Sequence, residues 1–289
     1  MIKIAPIIHS RTYKCDFNPN IIVHPENLNI EWARNKIVSA TSSINNMEHG
    51  TVRWVIARES NKSIAGIVCY IKDLIKFCNK EEKTISKLCY DNKGRSIFAF
   101  IGISFQSYEE KVNLNFDYEY FLDIYIKYML NIWENENPIS IISTYNDYSG
   151  KIFDNDFDDI NFQKQKKKIG TLECYKMGIE TDKKLFDYYL SKLFTNDELT
   201  FCSNLDIKKI REGNFDIVST NENTIIRLEN AEKNNLNLEE NYFNNTNIDN
   251  LERKKEISTV EKKKKFSDKY LSIFVFIIVI LILILINIK

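Results

Sequence analysis

A long apolar run near the C-terminus constrains this chain more than any other feature. Tyr270–Ile286 reads YLSIFVFIIVILILILI, in which Ser272 is the one clearly polar residue. As a helix with ~1.5 Å rise per residue it spans about 25 Å, near the lower limit for a ~30 Å hydrocarbon core. A buried core helix or strand is the alternative, but such elements are seldom apolar on every face. We predict a membrane anchor over residues 270–289, with lipid contacts from Tyr270, Ile273, Phe274, Phe276, Ile280, Leu283 and Ile286.

Basic residues directly before this run predict its orientation. They are Lys262, Lys263, Lys264, Lys265 and Lys269. Positive charge is retained on the cytoplasmic side of a membrane, so the N-terminal part is expected in the cytoplasm. The first residues contain no apolar stretch long enough for a signal peptide. We therefore predict a tail-anchored, single-pass membrane protein whose partners include the lipid bilayer. The lysines either only orient the anchor or also attract anionic lipids.

The composition divides the chain into three parts. Residues 220–269 are dominated by Asn, Glu and Lys, with few apolar residues and one short helical pattern around Thr224–Asn234. Such low-complexity polar sequence is typical of a disordered stalk. We predict a folded cytosolic domain over 1–219, a flexible stalk over 220–269 and the anchor over 270–289.

Residues 1–219 mix strand and helix patterns, which predicts an α+β domain with a mixed or mostly antiparallel sheet and packed helices. The predicted helices are Asn29–Ser43, Tyr118–Glu134, Lys183–Leu193 and Ile207–Arg211. The predicted strands are Met1–His9, Thr51–Arg58, Ser63–Ile71, Ser96–Phe105, Ile139–Thr144, Gly170–Met177, Leu199–Cys202 and Phe215–Ser219. Gly66 and Gly102 inside two of these strands indicate a bulge or a closely packed neighbour.

No familiar catalytic or cofactor motif is present in the sequence. The chain has no GxxxxGK[ST], GxGxxG, GxSxG, HExxH or CxxC, so we predict neither a metal nor a cofactor. Asp154, Asp156 and Asp158 match the start of a calcium loop, but Asp159 and Gln165 stand where that loop needs Gly and Glu. The 40 Lys and Arg residues balance 40 Asp and Glu, which disfavours a nucleic-acid partner.

Two groups of residues are candidates for a site. Arg53, Arg58 and Arg95 are arginines in a lysine-rich chain, and strand pairing would bring them together to bind a carboxylate or phosphate. The alternative is that they form ordinary salt bridges to Glu59 or Asp91. A second candidate is a Cys–His pair, made by Cys69 or Cys89 with His9 or His49.

These features lead to a function in broad terms. A soluble domain on a long polar stalk beside a membrane anchor favours a binding or signalling module at the membrane surface, which recruits a protein partner or senses a ligand. This interpretation favours a role other than catalysis without deciding against an enzyme. A membrane-tethered hydrolase or transferase that uses dispersed Cys, His and Asp residues stays open as an alternative. So does a membrane effector of a stress or conflict system.

Overall fold

The computed structural model describes most of the chain up to residue 234. The described residues are 2–17, 21–41, 51–80, 85–107, 114–136, 140–148, 165–195, 197–212 and 215–234. The chain divides into two units, Met1–Glu229 and Asn230–Lys289. The fold described below is that of the first unit.

Strands and helices follow one another along the described residues. The strands are β1 (Ile2–Ser10), β2 (Val23–Pro25), β3 (Arg53–Glu59), β4 (Lys62–Tyr70), β5 (Phe98–Ser107), β6 (Ile141–Ser143), β7 (Asn146–Asp147), β8 (Lys167–Ile169), β9 (Leu172–Lys176), β10 (Glu198–Cys202) and β11 (Ile217–Thr220). The α-helices are α1 (Ile30–Thr41), α2 (Ile71–Phe77), α3 (Tyr118–Ile132), α4 (Ile179–Ser191), α5 (Ile207–Glu212) and α6 (222–234). A short 3₁₀ helix, Ser86–Cys89, lies between α2 and β5.

All these strands belong to one sheet. Its order is β6-β2-β1-β5-β4-β3-β10-β11-β9-β8, with β7 paired to β1. From β1 to β10 neighbouring strands are antiparallel, whereas β10, β11 and β9 run parallel to one another. The prediction of an α+β fold with a mixed sheet and packed helices is confirmed for this part of the chain.

Helices cover both faces of the sheet because its central strands are apolar on both sides. In β3, Trp54 and Ile56 belong to one hydrophobic core, and Val55 and Ala57 belong to the other. Side chains of α2, α3 and α4 complete the first core, and side chains of α1, α5 and α6 complete the second. The sheet is therefore the middle of three layers.

Strands β4 and β5 come together at a pair of glycines. Gly66 lies directly opposite Gly102 in their antiparallel register. A Cβ atom added to Gly66 would lie 2.4 Å from the Ile101 carbonyl oxygen, and one added to Gly102 would lie 2.6 Å from that of Ala65. The sequence indicated either a bulge or a closely packed neighbour at these two glycines. The structure shows a closely packed neighbour.

The pairing of β3 with β10 joins the antiparallel centre of the sheet to its parallel part. Val55 faces Cys202 at one end of this register. The next residue, Ser203, donates its backbone N–H to the Trp54 carbonyl over 2.9 Å, and its Oγ accepts the Trp54 N–H over 2.8 Å. Helix α4 covers the junction, and the rings of Phe186 and Trp54 lie 4.7 Å apart between centroids.

The folded unit continues past residue 219, where the sequence predicted its end. Ile225 and Leu228 of α6 are buried in the core that α1 and α5 also line. None of the helices in the described ranges combines the length and the apolar composition that a membrane crossing requires. The predicted anchor, and the predicted stalk from residue 235 onward, lie outside those ranges.

We expect Gly66→Ala and Gly102→Ala each to lower the free energy of unfolding by about 1–3 kcal/mol or more, because the new methyl group meets backbone atoms that cannot rotate away. Urea denaturation of the full chain in a non-ionic detergent measures this. Gly178→Ala is the control, since its nearest neighbour is the Thr181 side chain at 3.3 Å. Equal midpoints for Gly66→Ala and Gly178→Ala would contradict the close approach.

Candidate functional site

A cavity lies beside the β3–β10 junction, on the side where α4 begins. Its volume is about 180 Å³. The lining residues come from separate segments of the chain and are Thr51, Val52, Tyr118, Met177, Gly178, Ile179, Asp182 and Asn204. We call this space the Asp182 cavity, because Asp182 is the one carboxylic acid among the described residues that line it.

Strand pairing brings these segments to the same place. Val52 directly precedes β3, and Asn204 follows β10, which is antiparallel to β3. Gly178 separates β9 from α4. Asn204 has a φ of 55°, in the left-handed region that asparagine adopts more readily than most residues. Its N–H donates to the Ser219 hydroxyl over 2.9 Å, which fixes this wall of the cavity to β11.

Asp182 lies in the first turn of α4 and is only 5% exposed. Its N–H donates to the Gly178 carbonyl over 2.7 Å, as in any helical turn. Its Oδ1 accepts the Gly178 N–H at 3.4 Å, and the buried Ser219 hydroxyl also bonds to the carboxyl group. Neither of these partners carries a positive charge, and no cation among the described residues is bonded to the carboxylate.

Burial raises the pKa of Asp182 to about 6, against the lowering effect of the hydrogen bonds from Ser219 and Gly178. Asp187, also on α4, is the matched case. Burial likewise raises the pKa of Asp187 to about 6, although the ammonium group of Lys183 is bonded to it and acts in the opposite direction. Of these two buried acids on one helix, Asp187 has a lysine partner and Asp182 faces a cavity instead.

Tyr118, the first residue of α3, forms the aromatic wall of the cavity. Its ring stacks on Phe77 with 4.9 Å between centroids, and Trp54 donates a hydrogen bond to it. Burial, followed by the charges of Cys69 and Asp182, raises the pKa of Tyr118 to about 12, so the phenol is neutral at physiological pH. A neutral phenol oxygen with one donor bound keeps capacity for a second.

The rim of the cavity is apolar and reaches solvent. Met177 is 39% exposed and Ile179 is 58% exposed, so both side chains of the rim are in contact with solvent. Ligand sites are commonly concave and mostly apolar, with a few polar groups that orient the ligand. The Asp182 cavity, with its apolar rim and buried carboxyl group, has this form.

A second cavity, of about 330 Å³, lies near the β3–β4 turn. Its lining residues are mostly polar and are Asn27, Leu28, Asn29, Asn61, Lys62, Ser104, Phe105, Gln106 and Tyr145. Lys62 is paired with Glu59 at 3.4 Å, and the Ser104 and Tyr145 hydroxyls are bonded to each other over 2.9 Å. Although this cavity is larger, the described residues that line it include no buried carboxyl group, so we regard the Asp182 cavity as the stronger candidate.

The three arginines that the sequence singled out lie in three different places. Arg53 is buried on the α1 face of the sheet and donates to the carbonyls of Ala40 and Asn204. Arg58, five residues later in β3, lies on the opposite face with its guanidinium 4.8 Å from the Phe194 ring centroid.

Arg95 lies in the turn before β5 and forms the salt bridge to Asp91 that the sequence offered as an alternative, with 2.6 Å between Nε and Oδ2. It also contacts Asp16 at 3.2 Å. The described contacts of the three arginines are therefore with separate protein groups rather than with one shared space.

His9, Cys69 and Cys89, which the sequence offered for catalysis, are not among the described residues that line either cavity. His9 is buried in β1 against Phe17, and burial lowers its pKa to about 4. Cys69 is buried in β4, and burial raises the pKa of its thiol, which favours the unreactive neutral form. The described cysteines are all free thiols. His49 lies outside the described residues.

Within the described ranges, no cluster of three or more His, Cys, Asp or Glu side chains has the geometry of a metal site. The aspartates at 154, 156 and 158 that match the start of a calcium loop fall outside those ranges.

Sequence reasoning missed the Asp182 cavity altogether. It placed the start of α4 at Lys183, whereas the helix begins at Ile179 and includes Asp182. The available signal was an acid four residues after Gly178, at the junction of a strand and a helix, where acids commonly cap the first turn. Nothing local in the sequence indicates that this acid is buried.

Comparison of the chain with protein-family models, curated proteins and solved structures gives no significant match. The assignment of a site therefore depends on the geometry of the Asp182 cavity alone.

As the pH falls from about 7.5 to about 5, we expect Asp182 to contribute a rise in melting temperature, while His9, whose pKa is lowered to about 4, contributes a fall. A folded-state pKa of about 6, above the ordinary 3.8 of Asp182, means that the folded state binds this proton more tightly than the unfolded state. Asp182→Asn should remove the part of this rise that comes from Asp182. The amide is neutral at every pH, as the protonated acid is, so it does not titrate. Calorimetry of the full chain in a non-ionic detergent measures it.

Glu180→Gln is the control for this melting series. It removes an exposed acid from the same helical turn and should leave the rise intact. An identical pH dependence for wild type and Asp182→Asn would show that Asp182 has no raised pKa.

Proposed function

We propose that this chain is a binding module held at a membrane surface, and that its folded domain recruits a partner through the Asp182 cavity. The observation that carries the proposal is the buried carboxyl group of Asp182, which faces a cavity instead of a cation and lies below an apolar rim. Burying a charge without a partner is costly, so such a group is seldom retained for stability alone.

The form of the cavity supports binding more than catalysis. Pockets for drug-sized molecules have volumes of roughly 300–1,000 Å³, whereas the Asp182 cavity has about 180 Å³. It has room for one side chain or a small molecule. The described residues that line it include no histidine, cysteine or lysine that would act as a base or nucleophile beside Asp182.

The membrane part of the proposal rests on sequence. Tyr270–Ile286 is apolar throughout, and five lysines precede it between residues 262 and 269. A tether of this kind confines the domain to a thin layer next to the bilayer and raises its effective concentration for partners there.

Site-specific photocrosslinking in the full chain tests the recruitment. A benzophenone side chain at Ile179, on the rim of the cavity, should give a discrete adduct when the chain is expressed in cells. The matched control is the same probe at Ile142 in the edge strand β6, because the two isoleucines are similarly exposed, at 58% and 51%. Adducts of equal yield at both positions, or none at Ile179, would contradict the proposal.

Alkaline carbonate extraction tests the tether. The full chain should stay in the membrane pellet, whereas a chain that ends at residue 269 should be released, because the apolar run supplies the free energy of insertion. The sequon Asn244-Asn245-Thr246 should carry no glycan if the domain faces the cytoplasm. Extraction of the full chain without detergent would overturn this part of the proposal.

A further inference from the structure

We infer that the Asp182 cavity binds an alkylammonium group, whose charged end pairs with the Asp182 carboxylate and whose apolar stem lies along the rim formed by Met177 and Ile179. This inference rests on the proposed function and names the chemistry of its ligand. The same group is present at the end of a lysine side chain and in small free amines.

Asp182 has no cationic partner among the described residues, which is the first observation that favours an ammonium ligand. The hydrogen bonds that Asp182 accepts come from a backbone N–H and from a neutral hydroxyl. The nearest lysine on the same helix, Lys183, is already bonded to Asp187 and lies 5.3 Å from the Trp54 ring centroid. An ammonium ligand would supply the missing positive charge and up to three donors.

The remaining walls of the cavity suit the same ligand. Tyr118 presents a neutral phenol whose oxygen accepts one hydrogen bond, from Trp54, and has a second lone pair for a donor. Val52, Met177 and Ile179 supply apolar surface for a methylene chain. A volume of about 180 Å³ accommodates a short unbranched amine and excludes a bulky one.

An anion is the competing ligand, since the N-terminus of a helix attracts negative charge. Here, however, the first turn of α4 already carries Glu180 and Asp182. The Gly178 N–H, which an anion would use, donates to the Asp182 carboxyl group. A second anion would therefore meet two like charges and an occupied donor, so the charge of the site favours a cation.

Titration of the full chain in a non-ionic detergent with n-butylammonium, followed by NMR of the backbone amides, tests the inference. Butylammonium should shift the amides of Gly178, Ile179 and Asn204, whereas the uncharged isostere n-butanol should not. Asp182→Asn should weaken the binding at least tenfold, and Glu180→Gln, which removes a charge outside the cavity, should change it less than twofold. Equal binding of the alcohol, or undiminished binding by Asp182→Asn, would overturn the inference.

A pH series provides a test that needs no variant of Asp182. At pH 5 an acid with a pKa near 6 is about 90% protonated, so the affinity of wild type for butylammonium should fall about tenfold from its value at pH 8. Among the groups packed around Asp182, Tyr118 of α3 and Cys202 of β10 have pKa values raised to about 12 and stay neutral. Arg53 at the start of β3 stays charged, and its side chain bonds to backbone carbonyls. An affinity that does not change with pH would overturn the inference.

The pair formed by Asp187 and Lys183, also on α4, is a second possible source of the pH effect and is tested by a separate variant. Asp187 has a similarly raised pKa and is bonded to Lys183. Asp187→Asn should keep the tenfold pH effect on butylammonium binding, because Asp187 does not line the cavity. Loss of the pH effect in this variant would assign the titration to Asp187 and overturn the inference.

A peptide with one lysine and its acetyl-lysine counterpart distinguish the two sources of the ammonium group. If the lysine peptide binds more tightly than butylammonium, the ligand is a lysine side chain of a protein. If it binds more weakly, the ligand is a small free amine. Either result supports an alkylammonium ligand. If neither amine binds but the Ile179 adduct forms, the ammonium inference fails and the recruitment stands. If the amines bind but no adduct forms, the recruitment fails and the ammonium site stands.

Discussion

The antiparallel pairing of β3 with β10 is the contact on which the rest of the structure depends. It holds together strands that are far apart in sequence, and its last hydrogen bond, from Trp54 to Ser203, joins residues 149 positions apart. Without it the antiparallel centre would have an exposed edge at β3, and the parallel strands β11 and β9 would lose their link to the sheet. Apolar side chains on both faces of β3 then require a helical layer on each side, which α1 and α4 provide.

The candidate site is a consequence of this junction. Val52 enters β3 and Asn204 leaves β10 at the same end of the pairing, while β11 brings the Ser219 hydroxyl beneath them. Helix α4, which crosses over Trp54, begins at that end and places Asp182 in the gap. The acid is thus buried by the ends of several elements rather than by a core. Such an arrangement keeps a charged group away from water while leaving one side open to a ligand.

The sequence predicts the local parts of this structure well and the non-local parts poorly. Helix α3 was predicted as Tyr118–Glu134 and is found as Tyr118–Ile132, because the spacing of its apolar residues is a local signal. The strands predicted as Thr51–Arg58 and Ser63–Ile71 are found as Arg53–Glu59 and Lys62–Tyr70 for the same reason. The burial of Asp182 had no such signal, since the atoms that surround it come from β3, β10 and β11. The sequence predicted that Arg53 and Arg58 lie close together. Because side chains alternate between the two faces of a strand and these residues are five positions apart, they lie on opposite faces of β3.

The central claim is that Asp182 is a buried acid without a cationic partner, facing an open cavity. The most direct test is to follow the side-chain carboxyl carbons of the ¹³C-labelled full chain by NMR across a pH titration, with Asp182→Asn to assign the resonance. The account predicts that the Asp182 resonance titrates with a pKa of about 6. A midpoint near the ordinary 3.8 of an aspartic acid would mean that this carboxyl group is solvated or paired, and would contradict the account.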